Sequence, residues 1–304
     1  MKTDSLLYKL NPRIYLYVHR NEMIGGYPQL KAQNNRVNLF DYHPEMKSYG
    51  KDTRYNNSRY NLGDYLGWVI SEWMLQKKGL SLSTPIKGKK FFHSVGSNVF
   101  GGYQNSTIWG SGAICEPKSR WKYLGYYPFR KLDIRAVRGP LTREVLLKFR
   151  HKCPMVYGDP AILMPLIYQP QIEKQDKICF IPQFYSEKEL RKKYPNHEFI
   201  SMNTNDYKSV IDAIVSSKKV VTSSLHGIIL AEAYGVPASF FRSLDKKLDF
   251  KYLDYYYSTG RTNIEISETL EEALAKKTPP LPDLKKMQQG LLESFPYDLW
   301  EDFK

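Results

Sequence analysis

The chain has 304 residues, a net charge of +14 from 45 Lys and Arg against 31 Asp and Glu, and 42% hydrophobic residues. That apolar share excludes a disordered chain. No run approaches the ~18 apolar residues of a membrane span, and three dispersed cysteines, Cys115, Cys153 and Cys179, exclude a disulfide scaffold. The length suits one large or two ordinary domains. The opening MKTDSLLYKLNPR lacks the apolar stretch of an export signal, so a cytoplasmic protein is expected. No Cys or His spacing suits a structural zinc, and no metal is expected. The positive charge favours anionic partners. Its densest groups are Lys87, Lys89 and Lys90; Lys188, Arg191, Lys192 and Lys193; and Lys246 and Lys247. They read either as a solvated basic face or as weak attraction to phosphorylated substrates or an anionic membrane surface, where peripheral contact is possible. No nucleic-acid module is present, so nucleic acid is not an expected partner.

In chain order, RIYLYVH (13–19) is the clear strand among the first sixty residues. In NLGDYLGWVISEW (61–73), Asn61 and Gly63 fit a turn and Asp64 the start of an amphipathic helix. Asp64 there reads as a helix cap or as a base toward a hydroxyl. HSVGS (93–97) and TIWGSGA (107–113) read as strands ending in small-residue turns, with His93 at a strand end. Gly110, Ser111 and Gly112 would let a sugar or phosphate approach the backbone. IRAV (134–137) reads as a strand and PLTREVLLKF (140–149) as a helix opened by Pro140. Arg138, between them, can offer its two-pronged donor fork to a carboxylate or phosphate, or pair with an acid such as Glu144. YGDPAIL (157–163) reads as a turn and an apolar strand, with Asp159 structural. The stretch 164–177, with Pro165 and Pro170, reads as a linker. It divides an N-terminal α/β unit, 1–165, from a C-terminal one, 166–304.

Beyond it, KICFIP (177–182), HEFISM (197–202), KVVTSS (219–224) and VPASFF (236–241) read as strands. DYKSVIDAIVSS (206–217) reads as a helix with Val210, Ile211 and Ile214 on one face. LHGIILAEAYG (225–235) reads as a helix stopped by Gly235. PDLKKMQQGLLESFPYDLW (282–300) is a last helical segment, expected to pack back on the N-terminal unit. Strands alternating with helices predict an α/β fold with parallel sheets.

The run VVTSSLHGIILAEAYGVP (220–237) is the most informative. A buried strand stops at Thr-Ser-Ser and a helix begins at once. Ser223 or Ser224 can cap that helix, and its N-terminus offers N–H donors to an anion. Gly227 lets a ligand approach the backbone. His226 then sits at the carboxyl end of a parallel strand, where open α/β sheets bind ligands. An isolated histidine would read as a partly buried one with a single hydrogen bond; the Ser-Ser cap, Gly227 and the strand–helix context favour a site instead. A GxSxG elbow and a phosphate P-loop are both absent from the sequence.

In this order NLGDYL, VGS, WGSG, RAVRGPLT, YGDPAIL, SSLHGIILAEAYGVP, DYYYSTGR and LLESFPYDLW resemble the polysaccharide pyruvyl transferase family, in its exopolysaccharide branch. The resemblance spans residues 61–300. It implies two doubly wound α/β domains like those of a GT-B glycosyltransferase, with the active site in the cleft between them. It implies transfer of pyruvate from phosphoenolpyruvate to two hydroxyls of a galactose-like sugar, in a surface (exo- or capsular) polysaccharide or its lipid-linked precursor, with release of phosphate and no cofactor. His226 matches the family's catalytic histidine, with Leu225 and Gly227 its neighbours, and Arg138 matches the phosphoenolpyruvate-binding arginine. Several members carry an arginine where this chain has Ser224; Arg261 or Arg242 would replace it. Ser223 and Ser224 complete the expected donor site. Asp64 is the candidate hydroxyl base, and Asn61, Gly110, Ser111 and His93 are the candidate acceptor contacts. A histidine suits proton delivery to the methylene carbon near neutral pH. Two other readings remain at this point: a GT-B-type glycosyltransferase using a nucleotide sugar, and a non-catalytic protein that binds anions or glycans.

Overall fold

Residues 11–24, 27–40, 61–117, 130–243, 246–264 and 266–301 are described by the computed structural model. Residues 13–19, expected as a strand, instead belong to helix α1 (Pro12–Val18) and its C-cap. Asn11 Oδ1 accepts from the Ile14 N–H at 3.3 Å and Pro12 occupies the first turn, a start signal that outweighs the β-favouring tyrosines. A short hairpin of β1 (Met23–Ile24) and β2 (Tyr27–Lys31) follows.

The first parallel sheet is β3 (Arg36–Leu39), β4 (Lys89–His93), β5 (Ser106–Trp109) and β6 (Leu132–Ala136), side by side in chain order. Helix α2 (Leu62–Gln76) crosses from β3 to β4. It is capped by Asn61, whose Oδ1 accepts from the Gly63 N–H at 3.2 Å, and it buries Leu62, Leu66, Ile70 and Met74 at helical spacing. After β6, Pro140 opens α3 (Pro140–Lys148). The expected strand at 157–163 is instead a 3₁₀ turn, Pro160–Leu166, because Asp159 Oδ1 accepts from the Ala161 N–H and Pro160 fixes the first turn.

The second half runs β7 (Gln175–Ile181), α4 (Glu187–Lys193), α5 (Tyr207–Val215), β8 (Ser217–Thr222), α6 (Leu225–Ala233) and β9 (Ala238–Phe240). Its sheet, β7-β8-β9, is also parallel. The expected strand HEFISM shrinks to one parallel bridge between Phe180 and Phe199. The Ile200 N–H donates to the Phe180 carbonyl at 2.8 Å, Arg191 Nη2 donates to the Phe199 carbonyl at 2.6 Å, and Ser201 Oγ donates to Glu187 where the pairing ends. Another parallel bridge joins Phe241 to Ser267. Counting these bridges, the spatial order is Phe199, β7, β8, β9, Ser267. The chain therefore reverses direction between β7 and β8, which is the switch point of a doubly wound sheet. Among the described strands the first sheet shows no such reversal, so a doubly wound order is present in the second sheet only.

Helices α7 (Asp249–Ser258), α8 (Leu270–Ala275) and α9 (Lys285–Ser294) complete the chain. The tail returns to the first sheet. Trp109 Nε1 donates to the Leu291 carbonyl at 3.0 Å, Tyr297 OH donates to the Met74 carbonyl at 2.9 Å, and Phe295 and Trp300 meet the Phe92 ring edge-on. One buried cluster contains side chains from both sheets, α2 and this tail. No helix among the described residues is long and apolar enough to cross a membrane.

Candidate active site

The carboxyl ends of strands from both sheets open on one cavity of about 430 Å³. Phe40 follows β3, Gly96–Asn98 follow β4, Gln183–Tyr185 follow β7, and Ser224–His226 follow β8. The β7 and β8 contributions flank the switch point, the crevice that open α/β sheets use for ligands. Asn61 and Asp64 from the first turn of α2, and Lys251 from α7, complete the polar wall.

His226 stands in the first turn of α6 with its side chain 13% exposed. Its Nε2 faces Asp159 Oδ2 at 3.7 Å, too far for a hydrogen bond, and neither atom has a hydrogen-bond partner among the described residues. Its Nδ1 side lies against Gly63, where a Cβ would overlap the ring. The glycine in the first turn of α2 is therefore what lets the imidazole sit beside Asp64. Burial pushes the Asp64 carboxyl up to about 6, against the lowering pulls of His226 and of the Asn61 side chain. Asp159, expected to be structural, divides its work: Oδ1 opens the 3₁₀ turn and Oδ2 turns toward the histidine.

The expected donor residues are placed as follows. Ser224 and Leu225 line the cavity. Ser224 is the N-cap residue of α6, but its side chain makes no capping bond, nor does Ser223 supply one. Ser223 Oγ instead accepts from the Gln183 N–H at 2.9 Å, fixing the β7 loop. Gly227 lies under the site, where a Cβ would strike Thr222. Arg138 does not present its fork to the cavity. It is fully buried behind the wall, with Nε donating to Asp254 Oδ2 at 3.1 Å, Nη1 to Ser97 Oγ at 2.7 Å and Nη2 to the Ala113 carbonyl at 2.5 Å. A Cβ at Gly112 would overlap the same guanidinium. Arg261 lies at a different and larger cavity, about 550 Å³, and is occupied by Glu232 at 2.6 and 2.7 Å. Arg242 is paired with Asp249 and Glu268. Among the described residues, no cluster comparable to Asp64, Asp159 and His226 lines that larger cavity.

Of the expected acceptor residues, Asn61 lines the cavity. His93 and Ser111 stand one layer behind it, both donating to Asn98 Oδ1, at 3.0 and 2.6 Å. Burial and the Arg130 charge drive the His93 imidazole down to about 3, so it stays neutral. Gly110, at a φ of 82°, allows the turn after β5 to press on Pro160. Sequence reasoning does not find Lys251, which is 9% exposed and carries an ammonium lowered to about 8 by burial and by the Arg138 charge. The signal available was a lysine on the buried stripe of α7 shared with Tyr252, Tyr255 and Tyr256. Among the described residues, no group of three or more His, Cys, Asp or Glu side chains is placed to hold a metal.

The family model described as polysaccharide pyruvyl transferase matches residues 24–243, more than half of the chain. An uncharacterised protein of Acanthamoeba polyphaga mimivirus is 27% identical over 208 residues, 64% of this chain and 69% of that one. The succinoglycan biosynthesis protein ExoV of Rhizobium meliloti (strain 1021) is 30% identical over 139 residues, 44% of this chain and 42% of ExoV. Among solved structures, a functionally uncharacterised protein from Klebsiella pneumoniae aligns with 82% of this chain and 93% of its own at 14% identity, with a TM-score of 0.45.

Proposed function

The chain belongs to the polysaccharide pyruvyl transferase family, and from that premise we propose that it moves the enolpyruvyl group of phosphoenolpyruvate onto two hydroxyls of a polysaccharide or lipid-linked sugar, releasing phosphate. The observation that carries this reading is the meeting of Asp64, His226 and the N-terminus of α6 in one cavity at the strand ends. Phosphoenolpyruvate carries a charge close to −3, and free N–H groups at a helix N-terminus attract such an anion. In this reading the donor lies toward the second sheet and the acceptor toward Asn61 and Asn98. The two halves, meeting near residue 165, act as the lobes of a GT-B-like enzyme.

His226 gives a proton to the methylene carbon, leaving an oxocarbenium centre at the neighbouring carbon. One sugar hydroxyl adds there and yields its proton to Asp64. The bond from that carbon to the phosphate oxygen breaks, and the second hydroxyl closes the ketal. Of the two hydroxyl protons, one replaces the proton spent on the methylene and the other leaves on phosphate. A carboxyl titrating at about 6 is an effective base at neutral pH. Asp159 acts as a positioning residue, its Oδ2 stabilising the imidazolium and fixing the ring.

Phosphate release from phosphoenolpyruvate in the presence of a galactose-terminated oligosaccharide tests this. His226→Ala is expected to lower the rate by about 10²–10⁴, with the melting temperature little changed. Near-normal turnover in that variant overturns the site. Thermal stabilisation by nucleotide sugars and not by phosphoenolpyruvate would point to glycosyl transfer instead.

A further inference from the structure

Helix α7 is fixed at several points along its length. Arg242 pairs with Asp249 at its first turn. Tyr252 OH donates to the Ser223 carbonyl at 2.8 Å. Asp254 accepts from Arg138, from the Thr142 N–H at 2.9 Å and from Thr142 Oγ1 at 2.6 Å. Lys251 sits among these anchors, lines the cavity, and has no carboxylate partner among the described residues. Among the described residues, the charge that acts on it is the like charge of Arg138. A nearly buried ammonium with no counter-ion is destabilising, and its lowered proton affinity records that cost. The Tyr252 ring lies 4.9 Å from the ammonium, but a ring face is no counter-ion, so the missing partner is an anion supplied from the cavity.

We propose that Lys251 is the cation that grips the phosphate of the donor, opposite the N–H groups at the start of α6, and that Arg138 acts through Asp254 to hold α7 with that ammonium facing the cavity. The proposal rests on the transferase reading given above. It concerns a residue beyond position 243, where the match to the family model ends. The phosphate end is favoured over the carboxylate end because an ammonium is a compact point charge, suited to a phosphate flanked by helix N–H donors. The planar fork that best matches a carboxylate is sealed away on Arg138.

Calorimetric titration with phosphoenolpyruvate and with inorganic phosphate, on the wild type, Lys251→Met and Lys251→Arg, tests the assignment. Each free protein is also melted at pH 7. Lys251→Met is expected to weaken both ligands about 10- to 100-fold. Its melting temperature should equal or exceed that of the wild type, because an uncompensated buried charge has gone. Lys251→Arg should keep both affinities within about fivefold, since it keeps the charge. Unchanged binding in Lys251→Met overturns the proposal, as does lost binding accompanied by a clearly lower melting temperature, which marks a structural lysine. If the wild type binds inorganic phosphate in a Lys251-dependent way but does not bind phosphoenolpyruvate, the transferase reading fails and the phosphate site stands. If it binds neither, the Lys251 assignment fails.

Discussion

Gly63 has no side chain, and that absence shapes the site. Its Cα lies against the imidazole of His226, so Gly63→Ala must displace the ring from between Asp64 and Asp159. A displacement of that kind is expected to cost about 10²-fold in turnover, read as a lower kcat with the fold intact by circular dichroism. Asp159→Asn keeps an oxygen to accept from the Ala161 N–H while removing the charge facing Nε2. Expected are a kcat at least tenfold lower, a KM near that of the wild type and a shifted pH profile. Asp64 has the opposite pH signature from an ordinary surface carboxylate. Its folded value of about 6 lies above the usual 3.8. The stability it lends is full below about 3.8 and is lost as pH rises through about 6. Urea unfolding across that window should show the decline in the wild type and a smaller one in Asp64→Asn. At this scale the placement of His226 and Asp64 at the cavity was legible, because each sits beside a local signal, a strand-to-helix turn in one case and a helix start in the other. Lys251 was not legible, because a lysine becomes a site only when its counter-ion is missing, and that depends on what α7 packs against.

At the scale of elements, Arg138 shows the limit of motif reasoning. Its place after β6 and before Pro140 is what the sequence indicates, but sequence cannot say to which side the guanidinium turns. Asp254, more than a hundred residues away, draws it inward. Arg138→Ala would leave Asp254 buried without its ion-pair partner, and removing one member of a buried pair typically costs about 3–5 kcal/mol. Chemical denaturation should therefore show a large stability loss, and weaker donor binding would follow from the loosened α7. The helix α1 teaches a similar lesson. Residues 13–19 have strand-like composition, but an Asn-Pro start commits the segment to a helix. The strand expected at 197–202 stops after a single bridge: the Ile200 N–H reaches the Phe180 carbonyl, and Ser201 and Asn203 then turn their side chains to Glu187.

At the scale of the whole molecule, the alternation of strands and helices made the parallel sheets legible. It did not reveal that the first sheet keeps chain order while the second reverses, since strand order is decided by side-to-side pairing. That reversal places the β7 and β8 loops on either side of the cavity. The tail is the other global feature. Trp300 is 2% exposed and stacks with Phe295 beside Phe92. Trp300→Ala is expected to destabilise the chain by about 3–5 kcal/mol, measurable as a shifted urea midpoint, even though the residue is remote from His226 in sequence.

The tail's path has a practical corollary. A recombinant fragment stopping near residue 165 would leave the greasy slot beside Phe92 and Trp109 open to water and should precipitate. A synthetic peptide spanning 284–301, supplied in trans, should bind that fragment and cover the slot, leaving exposed the face that packs on the second sheet. Engineers who wish to graft or swap halves of this protein would then have to carry residues 284–301 with the front half, not the back.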